Sequence, residues 1–219
     1  MSRRESKEDK KAERNQRKLE RKKNIRKDLD RVIIACEGSV TERNYFQSIF
    51  LELIGNYNIA KTSLIIARHT ATHPRGVLED LEKALKKDDE FEHKWIVIDR
   101  DEHESFAETL DQAESIKVKV AYSNPSFEFW FLLHFDDYTT PTHRHHIPDL
   151  LKKYINYKKN SKTTYHEILP FQEIAIKRAK KLIDKFTLDG RRLNPTKDNP
   201  STTVYKLVEV LNGLAKIED

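Results

Sequence analysis

The chain has 219 residues, 37% hydrophobic and 35% charged, which makes one domain of ordinary size with a modest core and a heavily charged surface. Its 41 Lys and Arg outnumber 36 Asp and Glu to give a net charge of +5, and the excess is local: residues 1–31 hold 14 basic and 7 acidic side chains, while the remainder is slightly acidic. No apolar run approaches the roughly 18 residues of a membrane span, the charged N-terminus is unlike a secretory signal, and one cysteine, Cys36, rules out a disulfide scaffold or a cysteine-based zinc site.

These features lead us to expect a cytoplasmic protein without a membrane partner. Neither GxxxxGK[ST] nor GxGxxG occurs, so the glycine-rich phosphate loops are excluded as well. In the first thirty residues only Ala12, Leu19, Ile25 and Leu29 are apolar beyond the initiating Met1, too few to dock a helix firmly. Residues 1–30 are expected to form a basic arm, mobile or singly helical. The arm suits attraction to a phosphate backbone and equally suits a solubilising or partner-binding tail.

From Arg31 the pattern changes. Arg31–Cys36 (RVIIAC) is a β-branched apolar run, the pattern of a strand buried on both faces. Thr41–Ile54 places Tyr45, Phe46, Ile49, Phe50, Leu53 and Ile54 at helical spacing. Thr62–Ala67 predicts a second strand, and Pro74 opens a helix that runs through Val77, Leu78, Leu81 and Leu85. Trp95–Ile98 predicts a third strand ending at Asp99, Ser105–Ala113 a short helix, and Lys117–Tyr122 a strand nearer the sheet edge. Beyond Pro125 the spacing predicts helices over Phe127–Phe135, Ile147–Tyr157, Phe171–Phe186 and Thr203–Ile217. Strands alternating with helices imply right-handed crossovers and a mainly parallel sheet. The expected fold is α/β, with an α/β core over residues 31–135 and a helical C-terminal extension over 136–219 packed on it.

Ligands of a parallel sheet gather beyond the C-terminal ends of its strands. There the first strand runs into Glu37, with Glu42 opening the next helix, and the third runs into Asp99-Arg100-Asp101. Positions i and i+2 of a strand share a side, so Asp99 and Asp101 present carboxylates together, and Glu37 meets them if the two strands are neighbours. Converging carboxylates repel one another unless a cation lies between them, and an all-oxygen ligand set favours Mg²⁺ or Mn²⁺. A carboxylate after a strand is also an ordinary turn former or helix cap, and both readings stand on the residues alone.

Four blocks carry a resemblance: CEGSVTERNYF at 36–46, VIDRDEH at 97–103, SNPSFEFWFLLHF at 123–135 and NPSTTVYKLVEVL at 199–211. A strand ending in EG followed by one ending in DxD looks like the Toprim domain of topoisomerases, primases and OLD-family nucleases. More narrowly, the four blocks resemble the RloB family of Toprim-like proteins from bacterial restriction and abortive-infection loci. The resemblance implies a Toprim-like core, and a Mg²⁺- or Mn²⁺-dependent endonuclease acting on DNA or RNA, tRNA included, in antiphage defence beside an ATPase partner. By position, it makes Glu37 a metal ligand or general base and Asp99 and Asp101 the metal-binding pair. Glu42 resembles a second glutamate of OLD-type nucleases, one residue further along than in that family. Glu128 would complete a second metal site, although Asn124-Pro125-Ser126 could equally cap the helix that follows. A non-catalytic Toprim-fold module that binds nucleic acid or protein is the alternative implied by the same resemblance. Oligomeric state stays open, a homo-oligomer included.

Other motifs are weaker. Lys158 and Lys162 are candidates for neutralising phosphate charge; Arg68, His69, Arg75, Arg100, Arg191 and Arg192 are candidate phosphate contacts. His103 could assist proton transfer or serve on the surface. His143, His145 and His146 in a Pro-flanked loop read as a solvated segment more than as a zinc site. The aromatics Phe127 to Phe135 read as core packing, Cys36 as a small core residue, and Ser201 or Thr202 as the cap of the last helix.

Overall fold

The computed structural model describes residues 30–57, 62–100, 103–161 and 163–214, together with Arg14 and Arg17. The predicted arm (Arg14, Arg17 and Asp30 apart), Asp101 and Lys162 lie outside the described residues. Five strands form one sheet: β1 (Asp30–Cys36), β2 (Thr62–Ile66), β3 (His93–Asp99), β4 (Lys119–Asn124) and β5 (Ser201–Thr202), in the order β2-β1-β3-β4-β5. The first four are mutually parallel and β5 is antiparallel to β4. Eight α-helices are described: α1 (Thr41–Tyr57), α2 (Pro74–Leu85), α3 (Phe106–Ser115), α4 (Glu128–Leu132), α5 (Ile147–Leu151), α6 (Thr164–Ile168), α7 (Gln172–Thr187) and α8 (Val204–Leu214). The α/β fold with its mainly parallel sheet and helical C-terminal region is therefore as expected.

Alternation along the strands divides the apolar residues between two layers. Val32, Ile34 and Cys36 of β1 and Trp95 and Val97 of β3 face a large core shared with Tyr45, Phe46 and Ile49 of α1. Helices α4, α7 and α8 join the same core. Ile33 and Ala35, with Ile96 and Ile98, face a smaller core under α2 and α3, filled by Val77, Leu78, Leu81 and Phe106. Of the aromatics expected to be core, Phe127, Phe129, Trp130 and Phe131 are buried and Phe135 is half-buried against them. The Trp130 indole N–H donates to the Tyr45 hydroxyl at 2.8 Å, and Phe127 and Phe131 meet edge to face at 5.2 Å. Arg31 ties the start of β1 to the turn before β3: its guanidinium donates to both carboxylate oxygens of Asp88 and lies 4.2 Å above the Phe91 ring.

Four expectations needed correction. The helix predicted over Phe127–Phe135 is only α4, Glu128–Leu132, and continues as turns through Phe135. The predicted helix over Ile147–Tyr157 is only α5, Ile147–Leu151; beyond it Tyr154 and Ile155 turn back on Leu151 and Tyr157 is buried beside α4. The strand predicted from Lys117 begins at Lys119, because Lys117 has φ 58. There the N–H of Val118 bonds to the carbonyl of Ala113 and that of Lys117 to Glu114, a Schellman-type close to α3. The NPST block before α8 contributes β5: Ser123 pairs with Thr202 and Asn124 with Ser201. Thr202 also accepts from the Val204 N–H at 3.2 Å, so the expected cap is present. No helix of the described residues is long and apolar enough to cross a membrane.

Candidate functional site

The C-terminal ends of β1, β3 and β4 lie side by side, since Cys36 pairs with Val97 and Asp99 with Ser123. The ladder continues one residue past β1: the Glu37 N–H donates to the Val97 carbonyl at 2.9 Å. That bond fixes the Glu37 backbone, and its carboxylate reaches across to accept from the Asp99 N–H at 2.9 Å. The neighbouring-strand condition under which Glu37 was expected to meet Asp99 is thus fulfilled.

A crevice of about 300 Å³ opens over these ends, and Glu37, Glu42, Asp99 and Glu128 all line it. Glu42, Asp99 and Glu128 are buried. Burial first, with the Glu42 charge second among the causes that raise it, pushes the Glu37 carboxyl up from 4.5 to about 7, against the opposing pull of the Asp99 N–H and of Arg144. Glu42 is likewise pushed up from 4.5 to about 7 by burial and then by Glu128, while Lys159 and the Gly38 N–H pull it back. Asp99 is held well above the usual carboxylate range by burial and by Glu42, Glu37 and Glu128 in turn. Glu37, Glu42 and Asp99 are therefore made reluctant to ionise chiefly by losing water, and secondly by neighbouring acids.

Glu42 sits in the first turn of α1 and its carboxylate folds back over Gly38, filling the space a Cβ there would need. Glycine is required at this position by close approach. Gly38→Ala is expected to expel the Glu42 carboxylate and destabilise the protein by about 1–3 kcal/mol at pH 5, as overpacking does. Denaturant unfolding checks this, and an unchanged midpoint would show that the turn yields freely.

At Glu128 the geometry bears on the capping alternative alone. The Ser126 hydroxyl does not cap α4; it donates to Glu128 Oε2 at 2.9 Å, and the Tyr157 hydroxyl donates to Oε1 at 3.2 Å. Both bonds orient the carboxylate at the crevice wall. His103 Nε2 lies 3.4 Å from Glu37 Oε1, at the site and not merely on the surface. His69 also lines the crevice, its Nδ1 3.2 Å from the Cys36 carbonyl. Cys36 is buried, and burial followed by the Glu42 charge pushes its thiol up, which keeps it protonated and inert.

Other candidates go elsewhere. Lys158 does not line the acid crevice; its neighbour Lys159 does. Arg191 forms a short ion pair with buried Asp198, closing the loop before β5, and Arg75 pairs with Glu79 on the outer face of α2. The Arg100 Nε–H donates to the Thr196 carbonyl at 3.1 Å. Sequence reasoning missed Arg144, Lys159 and Tyr157. Arg144 lies within the histidine-rich PTHRHHIP segment, where the His143 and His145 rings stack 4.9 Å apart, and attention to histidines hid the arginine between them.

The donor chemistry suits a hard divalent cation: the crevice is lined by four carboxylates and no softer ligand than imidazole. Among the described residues, no three His, Cys, Asp or Glu side chains are gathered closely enough to hold one ion; Glu37 and Asp99 would supply ligands from adjacent strands, with Glu42 and Glu128 on the same lining. No curated protein and no solved structure matches the chain. A family model does, spanning all four sequence blocks and every acid of the crevice: over residues 32–211 the chain matches the RloB-like protein family, and it belongs to that family.

Proposed function

We propose that this protein is a Mg²⁺-dependent endonuclease of Toprim type that hydrolyses nucleic-acid phosphodiester bonds in bacterial antiphage defence of the abortive-infection kind, alongside an ATPase partner. The observation that carries the reading is the lining of one crevice by Glu37, Glu42, Asp99 and Glu128 at the C-terminal ends of adjacent parallel strands. A bound Mg²⁺ would polarise the phosphate and acidify a water. Glu37 and Asp99 would hold it, and Glu42 and Glu128 would serve a second ion in the same crevice.

The chain's own residues supply the rest. His103, with Nε2 3.4 Å from Glu37 Oε1, stands beside the metal-holding carboxylate where it could take a proton from the attacking water. Arg144 and Lys159 on the same lining would compensate the charge of the non-bridging phosphate oxygens.

A crystal soaked in Mn²⁺, with anomalous scattering, tests this without partner or substrate. Density against Glu37 and Asp99, lost in Asp99→Ala, is the expected result. A bare cluster at millimolar Mn²⁺ would favour a Toprim-fold module that binds nucleic acid or protein without cutting it.

A further inference from the structure

A larger hollow, about 680 Å³, adjoins the acid crevice and shares Glu128, Arg144 and Lys159 with it. Its charge is opposite. Arg144, Lys152, Lys158 and Lys159 line it against one carboxylate, Glu128, whose oxygens already accept from Ser126 and Tyr157. Lys152 bonds Asp149 at 2.8 Å on the rim, an exposed pair of the kind that exchanges readily for a phosphate. Pro148, Tyr157 and His145 give the hollow flat, partly apolar surfaces among the cations.

We propose that this hollow receives one unpaired nucleotide flanking the cleaved phosphate, so that the protein acts on single-stranded nucleic acid. This rests on the nuclease reading of the adjoining crevice. The volume lies within the ~300–1,000 Å³ of sites that enclose small molecules, ample for a sugar and base. Flat side chains suit a base face and lysines suit its phosphates, without selecting a sequence. A duplex presents a convex backbone and delivers a nucleotide to such a hollow only by flipping it out, at a loss of stacking and pairing. Another hollow of about 300 Å³ shares Arg144 with both and carries Arg100 and Lys197. Cationic side chains therefore line two hollows that meet the acid crevice at Arg144, as a bound strand would use.

The test is equilibrium binding, by fluorescence anisotropy, to labelled oligo-dT, oligo-U and a blunt duplex, each of about 12 nucleotides per strand. It uses the full chain carrying Asp99→Asn, with Ca²⁺ present, so that the probes survive. At least one single strand is expected to bind about tenfold more tightly than the duplex, and Lys152→Glu with Lys158→Glu is expected to remove most of that preference. Both lysines are exposed, so the folded state tolerates the change. Preference for oligo-dT assigns DNA and for oligo-U assigns RNA; either keeps the assignment of the hollow. Equal or tighter duplex binding, or a preference untouched by the charge reversals, would overturn it. A wild-type chain that binds single strands yet never cuts them with Mg²⁺ would remove the nuclease reading while leaving this one standing.

Discussion

Asp99→Asn is expected to abolish metal-dependent cleavage and, in metal-free buffer at pH 8, to make the protein more stable. The two effects have one origin. Asp99 is buried and surrounded by Glu42, Glu37 and Glu128, and burial followed by these charges holds its carboxyl well above the usual range. Ionising it therefore destabilises the fold unless a cation is present. Asparagine keeps the shape, removes one of the repelling charges and removes the proposed metal ligand. A loss of about 10³-fold in cleavage rate follows if the bound metal supplies several kcal/mol to the transition state. The gain in stability should be about 1–2 kcal/mol, or ~4 °C in Tm for a chain of this length. Retained cleavage would remove Asp99 from the reacting centre. A lower Tm at pH 8 would mean that its charge is satisfied by the protein alone.

The same electrostatics predicts how the wild type responds to pH. Glu37 and Glu42 are raised from 4.5 to about 7 in the fold. A carboxyl whose folded value lies above its unfolded one contributes stability that is complete below the unfolded value and is lost as pH rises through the folded one. Metal-free protein should accordingly lose stability between about pH 4.5 and 7, by up to ~3 kcal/mol for each such acid and less than the sum for both, because they titrate together. Millimolar Mg²⁺ or Mn²⁺ should restore Tm at pH 8 and do almost nothing at pH 5, where protons already occupy the carboxylates. Thermal melts at four corners, two pH values with and without metal, read this directly. Equal metal effects at both pH values would mean that the ion binds somewhere other than the acid crevice.

The sequence was most informative where one force dominates. Strands β1 and β3 were legible because burial on both faces demands unbroken β-branched and aromatic runs, and their ends then pointed to Glu37 and Asp99; β2 carries a similar run although it lies at the sheet edge. Helix α1 was legible from its apolar spacing, although Ile54 proves 38% exposed. Tertiary context decided the rest. The two-residue strand β5 has no periodicity to detect; it exists because Ser201 and Thr202 find the edge of β4. Residues beyond Leu151 have helical spacing but turn away so that Tyr157 can reach Glu128. At the site, carboxylates at strand ends are visible in one dimension, whereas Arg144 and Lys159 arrive from loops far along the chain. Among so many lysines only the fold selects Lys159 over Lys158 for the crevice.

The position of β5 has a consequence for how such a protein can diversify. The strand from the last third of the chain completes the sheet beside the residues that follow Asp99 in register, while Tyr157 and Lys159 from the same third wall the crevice. The acids and the surface around them thus belong to one interlocked unit, with no seam between a reactive half and a recognising half. Exchange of whole modules would break the sheet. Relatives that change what they bind are expected to do so by substitutions in the loops at 142–148 and 157–160, leaving the frame that holds the carboxylates in place.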